Sequence, residues 1–176
     1  LAGFEQYNTR VREENGFALP NPPRDTRSFT TPDQKAHFTT HSLPDLNIPD
    51  ECYTMMTMRS HDQYNTTIYD VHDRYRGIHG NRRVVLMNAL DMVERGWKNR
   101  QKVSLTSHFK GQQRSSDDWQ LVAYDIPRGN VASYFPEANS IVPLDSTAEH
   151  SNTPTSKWIT VSIHAKTQVD MEHEEE

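Results

Sequence analysis

The sequence is poor in the residues on which several protein classes depend. Cys52 is its single cysteine, which excludes an internal disulfide and a zinc or iron–sulfur site ligated by this chain's thiolates alone. No apolar run approaches the roughly 20 residues that a membrane-spanning helix needs, and the start of the chain lacks a signal-peptide pattern. The expected location is therefore the cytoplasm, with no membrane partner. Because the chain begins at Leu1 rather than methionine, we expect it to be part of a longer protein.

Positive charge and hydrophobic residues are also scarce. The net charge of −5 argues against general affinity for nucleic acids, so no nucleic-acid partner is expected. Only Arg74, Arg76, Arg82 and Arg83 form a local basic cluster against that sign. Hydrophobic residues make up 34% of the 176 residues, and the mean hydropathy is −0.88. These values predict one domain with a modest core and long polar loops.

Composition divides the chain into three segments. Residues 1–34 are rich in polar residues and proline and have little apolar periodicity, so we predict an extended lead-in. Residues 35–168 carry the strand patterns and form the predicted domain. Residues 169–176 are acidic and are expected to form a disordered tail.

Alternating and β-branched runs predict about six short strands within residues 35–168. A short helix is predicted after Asn88, which can cap it, with Gly96 closing its end. Residues 111–118 are interpreted as a polar, hairpin-like connector and residues 131–135 as a short helical turn. Little helix and many polar loops favour a mainly β fold, a closed or nearly closed barrel, and no internal repeat is visible. The predicted strands are residues 36–41, 51–58, 82–87, 102–107, 119–124 and 157–163.

The segment with the most concentrated polar chemistry follows the strand at residues 51–58. Nearly every side chain there can donate or accept a hydrogen bond, and binding residues concentrate on loops held by a rigid scaffold. We therefore predict that this loop binds a large polar ligand with phosphate and heterocyclic character. Its residues are Thr57, Met58, Arg59, Ser60, His61, Asp62, Gln63, Tyr64, Asn65 and Thr66.

Two other interpretations of the same loop have less support. Ser60, His61 and Asp62 are the residue types of a hydrolase triad, but adjacent side chains on an extended segment point apart, and the Gly-x-Ser-x-Gly elbow is missing. The nine histidines lack the spacing of a metal site. We therefore expect neither catalytic residues nor a metal held by this chain.

The segment at residues 73–80 mixes arginine, tyrosine and glycine and allows two interpretations. Arginine forks suit phosphate oxygens, and glycine allows a close approach of the backbone to a ligand. A solvated turn with Arg–Asp pairs explains the composition equally well. Asn139, and the run of residues 152–157, are by themselves more typical of turns than of binding sites.

Eight blocks of sequence, in order, resemble the carboxy-terminal part of molybdopterin oxidoreductase alpha subunits, most closely the formate-dehydrogenase-like group. The resemblance covers nearly the whole chain apart from the acidic tail. The blocks are GFALPNP at 16–22, TPDQKAHF at 31–38, RSHDQYNTTIY at 59–69, DRYRG at 73–77, RRVV at 82–85, YDIPRG at 124–129, YFPEAN at 134–139 and SNTPTSK at 151–157.

The resemblance implies a double-psi six-stranded β-barrel that binds molybdopterin guanine dinucleotide. It implies that residues 57–66 reach the dinucleotide, with Asn139 and Lys157, and more weakly Tyr134, at further matching positions. In the parent enzyme the cofactor would be the bis form with molybdenum, and an iron–sulfur cluster would lie in amino-terminal domains. Those domains are the expected partners of this chain. The chain has no cysteine set for that cluster, so we expect an excised cofactor-binding domain that is not catalytic alone.

Within that resemblance, each polar residue has an expected role. Arg59, together with backbone N–H groups, would hold the pyrophosphate. Asp62 would accept from the N–H edge of guanine or pterin, Asn65 and Asn139 would read donor–acceptor pairs, and Lys157 would add positive charge. Two alternatives remain: a double-psi barrel that binds a peptide or protein, and a single-stranded nucleic-acid binder, against which the acidic balance counts.

Overall fold

The computed structural model describes residues 3–43 and 47–165, and the chain forms two units that divide between residues 45 and 46. The first unit contains two short helices, α1 (Tyr7–Arg10) and α2 (Pro22–Asp25). Asn21 caps α2 by accepting from the Arg24 amide, and proline suits its first turn. The acidic tail predicted at residues 169–176 lies outside the described residues, and the domain boundary expected after residue 34 stays a prediction.

The strand predicted at residues 36–41 is wrong, because these residues have no regular structure. The side chain of Phe38, which would have anchored an inward face, is completely exposed. A strand gains stability from a hydrogen-bonded neighbour and a packed face. Alternation in the sequence, without a pairing partner among the described residues, therefore did not produce one here.

The second unit is a closed six-stranded barrel, as predicted. Around the barrel the strands follow the order β1-β5-β2-β4-β3-β6. A helix follows β2 and a 3₁₀ helix follows β5. The elements are β1 (Cys52–Met58), β2 (Val84–Met87), α3 (Ala89–Glu94), β3 (Lys102–Phe109), β4 (Gln112–Ala123), β5 (Asn130–Tyr134), the 3₁₀ helix (Glu137–Ile141) and β6 (Ile159–Ala165).

The barrel has an internal twofold relation between its strands. β1 pairs with β5 in parallel and β2 with β4 in parallel, whereas the other four neighbouring pairs are antiparallel. Exchanging β1 with β4, β2 with β5 and β3 with β6 reproduces both the strand order and every pair direction. Two interleaved three-stranded halves of this kind make the double-psi barrel that the sequence led us to expect.

Strand β5 corrects the prediction of a helical turn at residues 131–135. It runs between β1 and β2, and its residues Val131, Ala132, Ser133 and Tyr134 are all buried. A short mixed run such as this has a weak propensity of its own, so pairing on both sides decides its conformation. The sixth strand of the barrel is thus this one rather than residues 36–41.

Strand β4 corrects a second prediction, because residues 112–118 extend the strand instead of forming a connector. Their polar side chains pair with β3 across a tight turn at Lys110 and Gly111, both of which have positive φ. The helix α3 confirms its prediction: the Asn88 side chain accepts from the Leu90 amide at 2.8 Å, and Gly96 follows with a φ of 69°. Helices in the described ranges are all too short to traverse a bilayer.

The barrel interior is filled by inward-facing aliphatic side chains around Trp119, whose side chain is fully buried. Met55 from β1, Leu105 from β3, Leu121 from β4 and Val161 from β6 pack into this cluster. Because side chains alternate between the two faces of each strand, these residues lie inside the barrel and the polar residues between them lie on its outer surface. This packed interior holds the strand ends rigidly, and the loops that leave those ends carry the candidate site.

Candidate functional site

A groove of about 490 Å³ lies where three chain segments meet at one end of the barrel. The first is the end of β1 with Arg59, the second is Phe135 directly after β5, and the third is Ser156 with Lys157 before β6. Backbone hydrogen bonds fix the three segments: the Thr57 amide donates to the Ser156 carbonyl at 2.9 Å, and the Phe135 amide donates to the Met58 carbonyl at 2.8 Å. The groove therefore has a rigid backbone frame.

The charge of this groove is positive, although the whole chain is acidic. Arg59 and Lys157 line it, and no carboxylate is among the described residues that do. The Lys157 ammonium donates to the Thr57 carbonyl, while the Arg59 guanidinium has no hydrogen-bond or ion-pair partner in the described part of the chain. Two cations around a space of this size suit an anionic ligand with a phosphate or pyrophosphate group.

Arg82 lies directly behind the groove and is only 5% exposed. Its guanidinium forms an ion pair with Glu137 at 2.7 Å and donates to the Ser60 hydroxyl at 2.8 Å and to the Phe135 carbonyl at 2.9 Å. Burying a charge is costly unless it is paired and hydrogen-bonded, as Arg82 is here. Arg82 thus links the loop after β1 to the segment after β5.

The Gln63 amide group joins the same two segments. Its oxygen accepts from the Ser60 amide at 2.9 Å and from Arg82 at 3.0 Å, and its nitrogen donates to the Phe135 carbonyl at 2.7 Å. Gln63 and Ser60 are among the residues that we predicted to touch a ligand. In the structure their polar groups are bonded to other groups of the protein and shape the loop, and their contact with a ligand stays a prediction.

Asp73 fixes the far part of the loop and is 3% exposed. One carboxylate oxygen accepts from the Tyr134 hydroxyl at 2.8 Å, from Arg76 at 2.6 Å and from the His61 amide at 3.2 Å. Burial by itself raises the pKa of Asp73, but the hydrogen bonds from Arg76, Tyr134 and His61 outweigh it and hold the pKa below its ordinary value. Burial, and then the bond to Asp73, raise the pKa of the Tyr134 hydroxyl.

These contacts bear on the two interpretations of residues 73–80. Arg76 is paired with Asp73, and the chain turns back there through Gly77, whose φ is 65°. Arg74 donates to the Tyr75 hydroxyl at 2.9 Å. A turn held by an Arg–Asp pair accounts for this segment, and Tyr134, a weaker predicted ligand residue, has its hydroxyl directed into the protein.

The remaining predicted residues face solvent outside the groove. The ring of His61 lies 3.7 Å from that of Tyr75, and its imidazole is 3.9 Å from the Asp62 carboxylate. Asp62 lines a separate cavity of about 770 Å³ next to Ile68 and Tyr69. Since the Ser60 hydroxyl is bonded to Arg82 and Gln63, Ser60, His61 and Asp62 do not form a catalytic triad. Tyr64, Asn65, Thr66 and Asn139 are exposed and do not line the groove.

Sequence reasoning found part of this groove and missed the rest. It named Thr57, Met58, Arg59 and Lys157, which the fold brings together although about 100 residues separate the two cations. It missed Phe135 and Ser156, whose only signal was adjacency to Tyr134 and Lys157. It also left Arg82 and Asp73 without a role, because a sequence does not show which polar residues become buried.

Comparison with known proteins identifies the family of the chain. The family model for the molydopterin dinucleotide binding domain matches residues 53–160. An uncharacterized oxidoreductase of Mycobacterium tuberculosis (strain H37Rv) and one of Mycobacterium bovis are each 46% identical over 168 residues. Protein YdeP of Escherichia coli K12 is 39% identical over 170 residues.

Each of these matches covers 93% of this chain but only 22% of the relative. The chain therefore spans about a fifth of the length of the curated relatives it matches. The match to the family model covers more than half of the chain and includes all three segments that line the groove. The chain belongs to the molydopterin dinucleotide binding domain family.

Proposed function

We propose that this chain is the part of a molybdenum oxidoreductase that holds molybdopterin guanine dinucleotide, and that the groove between Arg59 and Lys157 receives its pyrophosphate. The observation that carries the proposal is the charge of the groove: Arg59 and Lys157 line it, and none of the described residues that line it is a carboxylate, in a chain whose net charge is −5. An anionic dinucleotide fits that chemistry, whereas a cationic or apolar ligand does not.

The two cations would act in different ways. The planar guanidinium of Arg59 presents a fork of donors that matches two phosphate oxygens, whereas the Lys157 ammonium acts as a compact point charge. Each charge-assisted hydrogen bond contributes about 1.5–3 kcal/mol. The bound cofactor supplies the redox chemistry. The residues of this chain bind and orient it, so the chain by itself is not expected to turn over substrate.

The wider identity of the parent protein belongs to the same proposal. Names of the relatives support an oxidoreductase parent, and the block resemblance supports a formate-dehydrogenase-like enzyme with the bis form of the cofactor. An iron–sulfur cluster and the partner domains would lie in the amino-terminal part of the parent. We also propose a cytoplasmic parent, with which the single cysteine of this chain is consistent.

The test measures cofactor content in the full-length protein. Arg59→Ala and Lys157→Ala each remove one groove cation, and Lys102→Ala removes one exposed cation from β3 as a matched control. We expect molybdenum and acid-released guanine nucleotide to fall together by about tenfold or more in the groove variants, since a charge-assisted contact of about 1.5–3 kcal/mol is lost. The control should retain the wild-type content. Equal occupancy in all four proteins would refute the role of the groove.

Peptide binding is a second candidate function, favoured by one observation. Tyr64, Ile68, Tyr69 and Val71 are exposed in one short stretch, and the last three line the cavity of about 770 Å³. Clustered exposed apolar side chains mark interaction surfaces. Selection from a peptide library, with Ile68→Ser as the variant, tests it. Peptides whose binding is lost with Ile68→Ser and unaffected by Arg59→Ala would support this function, and a library without binders would refute it.

A further inference from the structure

We propose that Arg82 is a positioning residue that sets the geometry of the groove without touching the ligand; this inference rests on the proposed function. The side chain of Arg82 is 4% exposed and does not line the groove. Its hydrogen bonds nevertheless end on both walls. Ser60, which directly follows Arg59, lies on one side, and the carbonyl of Phe135 lies on the other.

The geometry of these bonds uses the whole guanidinium. Nε donates to Glu137 at 2.7 Å, Nη1 donates to Ser60 at 2.8 Å and to the Asp70 carbonyl at 3.3 Å, and Nη2 donates to Gln63 at 3.0 Å and to Phe135 at 2.9 Å. A guanidinium has five N–H donors in a rigid plane, so each donor has an acceptor here. The plane therefore fixes the distance and angle between the two walls.

Two aromatic rings hold the guanidinium in that plane. Its carbon lies 4.2 Å from the ring centre of Tyr69 and 4.9 Å from that of Tyr134, distances at which a cation is attracted to a ring face. The guanidinium cannot tilt without breaking one of these contacts, so the position of Ser60 is fixed relative to Phe135.

This arrangement has a consequence for Arg59. Its guanidinium has no hydrogen-bond or ion-pair partner in the described residues, so the position of its backbone, next to Ser60, is what the structure holds in place at the groove. A lysine in place of Arg82 would keep the charge opposite Glu137 but would lose the planar fork. Substitution by lysine therefore separates the geometric role from the charge.

The test titrates the 176-residue chain with guanosine diphosphate, which carries the guanine and the pyrophosphate, and measures Kd by calorimetry together with the Tm. Arg82→Lys is compared with wild type and with Arg128→Lys. Arg128 also forms an ion pair with a buried carboxylate, that of Asp91, but it lies outside the groove. All Kd values are measured well below the lowest Tm.

We expect Arg82→Lys to raise Kd about tenfold, because lysine lacks the planar fork that holds Ser60 and the Phe135 carbonyl in fixed positions. Arg128→Lys should lower the Tm and leave Kd unchanged. A wild-type chain that does not bind guanosine diphosphate would overturn the proposed function and this inference together. Wild-type affinity in Arg82→Lys would overturn the inference and leave the proposed function standing.

A second variant keeps the proposal testable if Arg82→Lys does not fold. Ser60→Ala removes one hydrogen bond from Arg82 and leaves the other contacts of the guanidinium in place. We expect a several-fold rise in Kd with a Tm close to that of wild type. An unchanged Kd in Ser60→Ala would contradict the positioning role.

Discussion

Polar side chains in the loop after β1 divide into a buried set and an exposed set, and the two sets have different roles. Ser60, Gln63, Asp73 and Arg82 bond to one another or to nearby backbone. Arg59 extends into the groove. The sequence predicted hydrogen-bonding capacity for the whole loop. It could not predict whether each side chain turns toward the protein or toward the groove, because that depends on which partners the fold brings close.

The lowered pKa of the Asp73 carboxylate predicts that the stability of the folded chain depends on pH. The pKa of Asp73 is lower in the folded chain than in the unfolded one, so its contribution is complete above about pH 4, near the unfolded pKa. It is lost as the pH falls through the folded pKa. Asp73→Asn should lower the free energy of unfolding at neutral pH by about 1–3 kcal/mol.

Denaturant unfolding at a series of pH values tests this prediction. The difference between wild type and Asp73→Asn should shrink below about pH 4. Asp62→Asn serves as the control, since that carboxylate is largely exposed. A constant difference across the acid range would contradict the assigned role of Asp73.

A substitution at Tyr134 distinguishes a structural role of its hydroxyl from a role in binding the ligand. Tyr134→Phe keeps the ring beside Arg82 and removes only the hydroxyl that donates to Asp73. We expect the free energy of unfolding to fall by about 1 kcal/mol and the affinity for guanosine diphosphate to stay at the wild-type value. A weakened affinity with unchanged stability would show instead that Tyr134 meets the ligand, as the sequence had suggested.

At the level of elements, strands with a clear alternation of apolar and polar residues were predicted well, whereas strands without that pattern were not. The ends of β1, β3 and β6 lie at most two residues from their predicted positions. β5 and the first half of β4 were missed because their conformation comes from neighbouring strands rather than from local pattern. Residues 36–41 show the reverse case, where alternation alone was not sufficient.

Substitutions in strand β5, which lies between β1 and β2, test this account of the elements. The hydroxyl of Ser133 is buried and has no hydrogen-bond partner among the described residues, and a buried unpaired polar group is destabilising. Ser133→Ala should therefore leave the free energy of unfolding unchanged or raise it. Val131→Ala, two residues away and fully buried, should lower it by about 2 kcal/mol. Loss of stability in Ser133→Ala comparable to that in Val131→Ala would contradict this account of β5.

Over the whole molecule, the barrel brings together cations that lie far apart in the chain. The strand patterns predicted a barrel of about six strands and the family resemblance implied its double-psi topology, but no repeat in the residues themselves displays the twofold relation between the strands. That strand order places the end of β1, the end of β5 and the start of β6 side by side. Arg59 and Lys157 share one groove for this reason.

The groove is lined by two cations whereas the whole chain is acidic, so the binding of an anionic ligand is expected to depend on salt concentration. Exposed charges are screened over about 10 Å at 0.1 M ionic strength. The affinity for guanosine diphosphate should therefore fall several-fold as ionic strength rises. Guanosine, which lacks the pyrophosphate, is the control and should show little change. Equal salt dependence for both ligands would contradict recognition of the pyrophosphate by the two cations.

The location of the bound anion can be read from backbone amide chemical shifts of the 176-residue chain during titration with guanosine diphosphate. The groove predicts the largest shifts at residues 57–60, at Phe135 and at residues 156–157. Arg59→Ala and Lys157→Ala should each reduce these shifts, and Lys102→Ala should not. Shifts confined to residues 64–75, or shifts of equal size in all four proteins, would contradict the assignment of this groove as the dinucleotide site.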